Sequence, residues 1–531
     1  MDHKHKTHEI VRNHDDHFPH DLSGKKQKHR RDRRPPRYSE FRSIDGGNNN
    51  LKHPGYGMPE SRLRRVLPAA YADGVYALAG PNRPNPRLIS NRVMAQSQSF
   101  PNSRNASSFV WQWGQFLDHD IDLTEGTVIE EPAHVPMPVG DPIFDPDGTG
   151  SAYMLFNRSA YDHATGTGVD NPRQQINQIT AWIDGSQVYG SDEVRAAALR
   201  ANDGTGRLAT SAGNLLPFNT AGLPNAGGPS SDLFLAGDVR VNEQLGLTAM
   251  HALFVREHNR IAMQLYQRGR YTEEEIYQRA RRKVIALLQA ITYNEFIPAL
   301  LGWRALSPYR GYNPAVDPQI ANSFATAAFR LGHSMLNPFL LRLDENGNEI
   351  EHGHLTLQEA FFTPETLIDE GGIEPLLRGL AAQKAETIDI YVIDDVRNFL
   401  FGPGTGLDLV SLNIQRGRDH GLPDYNTARI HNGLPPAESF ADITSDPVAQ
   451  QRLQQVYGTV DDIDLWVGII AEDHRRGALI GELGYRILKR QFEALRDGDR
   501  LWYERIFRGR ELAEIQHTRL ADVIHRNTTI G

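Results

Sequence analysis

The chain contains no cysteine among its 531 residues. This absence excludes a disulfide framework, a thiol nucleophile and any thiolate-ligated metal cofactor. The folded state must therefore be stabilised by packing, with bound ions as a second source.

Long apolar runs are also scarce. The longest, around residues 465–471, is far too short to cross a bilayer, and the first residues, MDHKHKTHEI, lack the apolar segment of a secretory signal. We therefore expect a soluble protein with no membrane span, either secreted or cytoplasmic. The net charge of −9 disfavours a general affinity for nucleic acid.

Two compositional blocks divide the chain. Residues 1–37 hold seven histidines and the basic run KKQKHRRDRR, and this density of charge predicts a disordered tail. Residues 38–531 are globular in character, and a chain with 39% apolar residues can form a large core. Because no repeat or linker interrupts this second block, we expect it to form one domain.

Helical periodicity dominates the second block. In LTAMHALFVREHNRIAMQLYQR, one helix face carries the apolar residues Leu247, Met250, Phe254, Ile261 and Leu265. His258 shares that face, where a core histidine satisfied by a hydrogen bond is favoured over a catalytic one. Alternation typical of strands is rare, so the sequence predicts a mainly α fold with very little β-structure.

The segment WQWGQFLDHDID, residues 111–122, concentrates charge beside aromatic residues. If the segment is helical, one face carries Gln115, Asp118, His119 and Asp122. Asp120 points roughly the opposite way. Charged helix faces are usually solvated, but the aromatic neighbours indicate burial, and buried carboxylates need partners.

The segment TAWIDGSQVYG offers a row of oxygen donors. Thr180, Asp184 and Ser186 stand in alternation, with the carbonyl of Trp182 between them. Such ligands suit a hard cation such as Ca²⁺, and Asp120 would add a second charge. An Asp-Gly-Ser sequence is also ordinary turn chemistry, so the segment alone leaves both interpretations open.

Three further segments carry polar residues at short spacings. They are GDVRVNEQ with Arg240 and Glu243, AFRLGHSMLNPF with Arg330 and His333 on a predicted helix, and LNIQRGRDHGLPDYN with Asn413, Arg416 and His420. Each segment alone also fits an ordinary surface ion-pair segment.

Together the five segments closely resemble the animal-type haem peroxidases, the myeloperoxidase-like branch of the peroxidase–cyclooxygenase superfamily. The resemblance runs from about Phe41 to the C-terminal HRNTTIG. It implies a large single-domain helical haem peroxidase fold, a catalytic domain over residues 38–531, a haem b derivative and Ca²⁺ as cofactors, and hydrogen peroxide as a substrate. The lack of cysteine differs from the vertebrate members and suggests a bacterial relative.

The resemblance also implies roles for individual residues. The distal histidine, its pocket neighbour and the distal arginine are His119, Gln115 and Arg240. The carboxylates that form esters to haem methyl groups are Asp118 and Glu243. The proximal iron ligand and its hydrogen-bond partner are His333 and Asn413. The groups that hold the haem propionates are Arg330, Arg416 and Asp122. The calcium ligands are Asp120, Thr180, the Trp182 carbonyl, Asp184 and Ser186.

General chemistry agrees with these roles. A neutral imidazole near pH 7 can take a proton from a bound peroxide and return it to the departing oxygen, which suits His119. A guanidinium held beside that oxygen stabilises its developing charge, which suits Arg240. The proximal imidazole is oriented and made basic by an acceptor, the part expected of the Asn413 side-chain carbonyl.

Two positions bear on the substrate. Gln244 stands where myeloperoxidase has a methionine that makes a third haem link, so we expect oxidation of bromide, iodide, thiocyanate or small aromatic donors rather than chloride. Arg330 stands three residues before His333, where cyclooxygenases and related fatty-acid dioxygenases have a radical-forming tyrosine. A fatty-acid dioxygenase is therefore a minority alternative, and a non-catalytic, calcium-stabilised structural or adhesive protein is another.

Overall fold

The computed structural model describes residues 39–398 and 407–531. The tail predicted over residues 1–37 lies outside the described residues. The boundary at residue 38 therefore stays a prediction.

Helices make up almost all the regular structure of the described residues. In chain order they are α1 (Pro86–Arg92), α2 (Phe109–Ile121), α3 (Ser186–Tyr189), α4 (Glu193–Ala198), α5 (Leu245–Tyr266), α6 (Glu273–Ile291), α7 (Ile297–Leu301), α8 (Asn322–Thr326), α9 (Pro364–Asp369), α10 (Glu374–Ala382), α11 (Asp394–Asn398), α12 (Leu409–Asp419), α13 (Tyr425–His431), α14 (Pro447–Tyr457), α15 (Leu465–Ala471), α16 (Glu482–Asp497), α17 (Tyr503–Ile506), α18 (Gly509–His517) and α19 (Leu520–Asn527). Short 3₁₀ segments cover Ala212–Asn214, Ala328–Ser334, Phe440–Asp442 and Val460–Asp462, and a π turn covers Thr292–Phe296.

The described strands are β1 (Ser61–Arg62), β2 (Val135–Pro136), β3 (Tyr153–Met154), β4 (Ile176–Asn177), β5 (Phe339–Leu340) and β6 (Leu355–Thr356). They pair antiparallel as β1 with β4, β2 with β3 and β5 with β6, with Ser61 opposite Asn177, Val135 opposite Met154 and Phe339 opposite Thr356. Two-residue ladders of this kind confirm the predicted mainly α fold with very little β-structure.

The 22-residue helix α5 forms as its periodicity predicts. Its first turn is capped by the Gln244 side chain, which accepts a hydrogen bond from the backbone N–H of Gly246 at 2.7 Å. Four residues of the predicted apolar face are buried, Leu247, Met250, Phe254 and Ile261, while Leu265 near the helix end is half-buried against the same core. Burial of this face against other helices, rather than helix propensity alone, stabilises a helix of this length.

His258 is buried within α5 and has a partner for each ring nitrogen. Its Nδ1 lies 2.9 Å from the Tyr189 hydroxyl, and its Nε2 lies 3.0 Å from the carbonyl oxygen of Gly206. The interpretation of His258 as a satisfied core histidine is therefore confirmed.

The helical run that starts at α6 continues through the π turn and α7. A capping box begins it: the Thr272 hydroxyl accepts from the Glu275 N–H, and the Glu275 carboxylate accepts from the Thr272 N–H. The run Glu273–Leu301 is the stretch within residues 39–398 and 407–531 that is long and apolar enough to cross a membrane. Since 72% of its most apolar window is buried inside the protein, it is weak support for a membrane span.

The segment carrying Arg330 and His333 is a 3₁₀ helix, Ala328–Ser334, rather than an α-helix. Ala327, with φ −134° and ψ −70°, separates it from α8. Because a 3₁₀ helix has three residues per turn, side chains three apart project from the same side. Arg330 and His333 are thereby directed to one region.

Candidate active site

The residues predicted for haem chemistry surround one internal cavity of about 350 Å³. The cavity lies among α2, the segment before α5, the 3₁₀ helix Ala328–Ser334 and α12. The predicted residues on its wall are Gln115, Asp118, His119, Asp122, Arg240, Glu243, Arg330, His333 and Arg416. His420, which the sequence placed beside them, lines it as well.

Helix α2 brings Gln115, Asp118 and His119 to the cavity from one face, as its spacing predicts, and Asp122 lines the cavity from just beyond the helix. The helix ends at Ile121, and Asp122 follows in extended backbone as the C-cap, its N–H donating to the Asp118 carbonyl at 2.9 Å. Asp120 is fully buried on another side of the helix and does not line the cavity. The adjacent residues His119 and Asp120 therefore lie in two separate environments, one at the cavity and one on another side of the helix.

Arg240 is held rigidly at the cavity wall by Asp238. Its Nε donates to Asp238 Oδ1 at 2.9 Å, and its Nη2 donates to Asp238 Oδ2 at 2.9 Å and to the Asp122 carbonyl at 2.9 Å. Burial disfavours the charged guanidinium, but Asp238 outweighs burial and raises the pKa of Arg240 above its usual value. The guanidinium is therefore a fixed positive charge.

The ionisable groups around the cavity are strongly affected by burial. Burial and then the charge of Arg240 lower the pKa of His119 well below its usual value, so the ring is neutral at pH 7. Burial and then the neighbouring Asp122 raise the pKa of Asp118 to about 8. Burial likewise raises the pKa of Glu243 to about 7. The cavity thus presents a neutral imidazole beside carboxyl groups that gain protons near neutral pH.

His333 contacts Asn413, but through a different atom from the predicted one. The Asn413 amide nitrogen lies 2.7 Å from His333 Nδ1, whereas the Asn413 carbonyl accepts from Arg330 Nη1 at 2.9 Å. The Asn413 carbonyl oxygen, the expected acceptor for His333, therefore accepts from the Arg330 guanidinium instead, since a guanidinium can only donate. Burial and then Arg330 lower the pKa of His333 to about 3, which keeps the imidazole neutral.

The predicted propionate groups reach the cavity with protein partners already in place. Arg330 also donates to the Ala325 carbonyl at 3.1 Å. Arg416 donates to the Asn157 carbonyl at 3.0 Å and to the Ser159 hydroxyl at 2.8 Å. These contacts hold both guanidinium groups at the cavity edge.

Three glutamines form a hydrogen-bonded cluster beside Glu243. Gln244 Nε2 donates to Gln112 Oε1 at 2.7 Å and to Gln115 Oε1 at 3.0 Å, and Gln115 Nε2 donates to Glu243 Oε2 at 3.3 Å. From the sequence we considered Gln244 only as a difference from the myeloperoxidase methionine and predicted no role for Gln112. The spacing of Gln112 three residues before Gln115 on α2 was the available signal.

Four of the predicted calcium ligands contact one another in two pairs away from the cavity. The Ser186 hydroxyl donates to the Asp120 carbonyl at 2.8 Å, and the Thr180 hydroxyl donates to Asp184 Oδ1 at 3.0 Å. Burial and then Asp184 raise the pKa of Asp120 well above its usual value. The other oxygen of Asp184, Oδ2, is buried without a hydrogen-bond partner.

These observations fit a bound cation, although the acidic ligands are few. Within the described ranges, no group of three or more His, Asp or Glu side chains could hold a metal ion. The remaining donors would be hydroxyl and carbonyl oxygens, which a hard cation accepts. Trp182 is fully buried, and its indole N–H donates to the Gly46 carbonyl at 3.1 Å.

The cavity also fits a haem. Its volume lies in the range of cofactor sites, its wall includes apolar side chains such as Trp111, Phe329 and Leu331, and a neutral histidine stands on each of two packed elements, α2 and the 3₁₀ helix. Apolar walls and a neutral imidazole on each of two elements are features that a haem site requires.

The chain belongs to the animal haem peroxidase family, because residues 41–531 match the family described as "Animal haem peroxidase". Peroxinectin A of Dictyostelium discoideum is 38% identical over 508 residues, which cover 92% of this chain and 94% of that protein. The Peroxidasin homolog of Mus musculus is 37% identical over 554 residues, 92% of this chain. The chain spans only 37% of that longer relative.

Solved structures agree with this family. Peroxidase A from Dictyostelium discoideum has a TM-score of 0.85 and 35% identity, covering 92% of this chain and 97% of that one. The fatty acid alpha-dioxygenase of Oryza sativa has a TM-score of 0.77 at 22% identity, covering 92% and 84%, and shares the fold alone. The resemblance and the helical haem peroxidase fold are confirmed, and the bacterial origin stays a prediction.

Proposed function

We propose that the protein is a peroxidase that reduces hydrogen peroxide and oxidises small donors, with residues 38–531 as its catalytic domain. The observation that carries the proposal is the placement of His119, Arg240 and His333 on the wall of one cavity. Haem bound there would supply an iron that exchanges electrons with peroxide and the donor. His333 would be its iron ligand.

The distal residues would handle the proton and the charge of peroxide reduction. The neutral His119 imidazole accepts a proton from one peroxide oxygen and returns it to the other, which leaves as water. Arg240 stabilises the negative charge that develops on the leaving oxygen, and it reorganises little because Asp238 already holds it. Gln115, fixed by Gln244, would orient small molecules beside them.

The carboxyl groups of Asp118 and Glu243 would form esters to haem methyl groups. Both lie on the cavity wall, and their raised pKa values show that neither is fully stabilised as a carboxylate by the protein. Arg330, Arg416 and Asp122 would hold the haem propionates. These assignments follow the family resemblance and the shared cavity.

Ca²⁺ would bind Asp120, the Thr180 hydroxyl, the Trp182 carbonyl, Asp184 and the Ser186 hydroxyl. Two buried carboxylates repel one another unless a cation or protons neutralise them. A bound Ca²⁺ would therefore tie α2 to the loop that leads into α3, on a side of α2 away from the cavity.

The donors we propose are bromide, iodide, thiocyanate or small aromatic compounds rather than chloride. An amide at Gln244 cannot make the third haem link that a methionine makes. Arg330 stands where a radical-forming tyrosine would be required, which speaks against a fatty-acid dioxygenase. These two positions are the observations that support the proposed donors.

Haem uptake and donor specificity test the proposal directly. The full chain supplied with haem should show a Soret band and should oxidise bromide, iodide, thiocyanate or phenols faster than chloride. His333→Ala should lose the band, while the matched exposed variant His431→Ala should keep it. His119→Ala should slow the reaction with peroxide roughly a hundredfold. A chain that binds no haem would contradict the proposal.

A further inference from the structure

Asp238 lies between the two distal groups, although it does not line the cavity. Its side chain is 1% exposed. Besides the two side-chain bonds from Arg240, Oδ1 accepts the Arg240 backbone N–H at 2.9 Å. The same Oδ1 lies 3.4 Å from His119 Nδ1. One carboxylate thus contacts both groups that the proposed reaction uses.

The position of Asp238 is itself set by close backbone packing. Its N–H donates to the Gln187 carbonyl at 3.2 Å. A Cβ added at Gly237 would lie 2.1 Å from the Ser186 carbonyl oxygen, so any other residue there would force the two segments apart. The carboxylate therefore projects from backbone that is fixed against α3.

The paired contacts determine the plane of the Arg240 guanidinium. A planar guanidinium bound by both carboxylate oxygens keeps one orientation, which a single contact would not impose. Asp238 occupies Nε and Nη2. The remaining nitrogen, Nη1, makes only a 3.4 Å contact with Asp118, so it is the nitrogen most available to a ligand in the cavity.

The contact with His119 selects one form of the imidazole. His119 Nδ1 is buried and has no hydrogen-bond partner within the described residues. A carboxylate at 3.4 Å favours the form that carries its proton on Nδ1, because an unprotonated nitrogen there would face a negative charge. Nε2 is then the unprotonated nitrogen, the one able to accept a proton.

We propose that Asp238 is a positioning residue that holds the Arg240 guanidinium and the His119 imidazole in the arrangement needed to bind and deprotonate a small acid in the cavity. The inference rests on the proposed peroxidase function. It adds a third residue to the distal machinery, one that acts through the other two without touching the substrate.

Cyanide is a suitable probe for this role. In the haem-loaded protein, hydrogen cyanide would bind as the anion and pass its proton to His119 Nε2, and the anion would need a positive group nearby, the part proposed for Arg240. We expect Asp238→Asn, in the full haem-loaded chain, to raise the cyanide Kd measured by Soret titration at least about tenfold, or about 1.4 kcal/mol. The kcat/KM for peroxide should fall by a similar factor.

A double-variant comparison separates positioning from a general structural role. Because Asp238 is proposed to act through Arg240 and His119 together, adding Asp238→Asn to a His119→Ala, Arg240→Gln double variant should weaken cyanide binding by no more than about threefold further. Fully additive effects would overturn the inference. So would an Asp238→Asn protein that binds cyanide as tightly as the wild type.

A matched control and a second variant complete the test. Asp141 forms a comparable buried ion pair with Arg87, Nε to Oδ2 at 2.7 Å, away from the cavity, so Asp141→Asn should leave the cyanide Kd within about twofold. If Asp238→Asn does not fold, Asp238→Glu keeps the charge but displaces it, and an unchanged Kd there would refute the inference. Wild-type protein that binds haem and cyanide but does not reduce peroxide would contradict the proposed function alone.

Discussion

Replacing Arg240 by lysine keeps the positive charge but removes the planar guanidinium that contacts Asp238 through two nitrogens. Arg240 bridges Asp238 through two nitrogens and also reaches the Asp122 carbonyl and Asp118. Lysine has one nitrogen on a flexible stem, so it can keep an ion pair with Asp238 but cannot make the bridge and face the cavity together. We therefore expect Arg240→Lys to fold and to bind haem.

The loss of rate follows from the contacts that lysine cannot make. Removing one fixed donor to a developing oxyanion typically costs about a hundredfold to a thousandfold, or roughly 3–4 kcal/mol. Arg240→Gln, which loses both the charge and the bridge, should approach that loss. Arg240→Lys keeps part of the electrostatic stabilisation, so we expect a reduction of about tenfold to a hundredfold. Stopped-flow absorbance after mixing the haem-loaded protein with peroxide measures both.

Arg397 supplies the control for this series. It is buried and bonded to the Ser90 carbonyl at 3.1 Å and to Asn91 at 2.9 Å, and it does not line the cavity. Arg397→Lys should lower the thermal midpoint without changing the rate with peroxide. Wild-type rates in Arg240→Lys, or equal rates in Arg240→Lys and Arg240→Gln, would refute the reasoning from geometry.

Three further predictions concern carboxyl groups. Burial raises the pKa of Glu243 from 4.5 to about 7, so the stability of the haem-free chain should fall as pH rises between those values. Across the same pH range Glu243→Gln should become more stable to heat than the wild type, and the control Glu438→Gln, at an exposed position, should show no such trend. Chelation of Ca²⁺ should lower the thermal midpoint of the wild type and have little effect on Asp184→Asn, and an equal drop in both would contradict the calcium assignment. After turnover with peroxide, acidic organic solvent should extract haem from the double variant Asp118→Asn, Glu243→Gln but not from the wild type. Complete extraction from the wild type as well would count against the esters.

Periodicity predicted the mainly α fold well because the buried face of a helix is visible in the sequence as a regular spacing of apolar residues. The apolar stripe of α5 and the polar face of α2 both follow from a repeat of 3.6 residues. The 3₁₀ form of Ala328–Ser334 did not follow, since a spacing of three between Arg330 and His333 suits either helix type. The non-helical backbone of Ala327, φ −134° and ψ −70°, precedes this segment and has no signal in the order of residues.

The partners of polar groups were harder to predict than their positions. Family motifs indicated that Arg240 and His119 belong to one pocket, but nothing in their spacing indicated that Asp238 joins them. The contact of Asn413 with His333 was foreseen, whereas the atom that makes it depends on competition from Arg330. Hydrogen-bond partners are chosen among all groups in reach, and reach is a property of the folded chain.

The contact at Gly237 has a consequence for recombining this chain with its relatives. Arg240 takes its position from Asp238, and Asp238 takes its position from backbone packed against Ser186 and Gln187. Because there is no room for a Cβ at Gly237, a segment 237–244 taken from another peroxidase keeps this packing only when it has glycine at the same position. The position of Arg240 therefore depends on two stretches, residues 180–190 and 237–244, that are almost fifty residues apart in the sequence, and a chimera should take both from one parent.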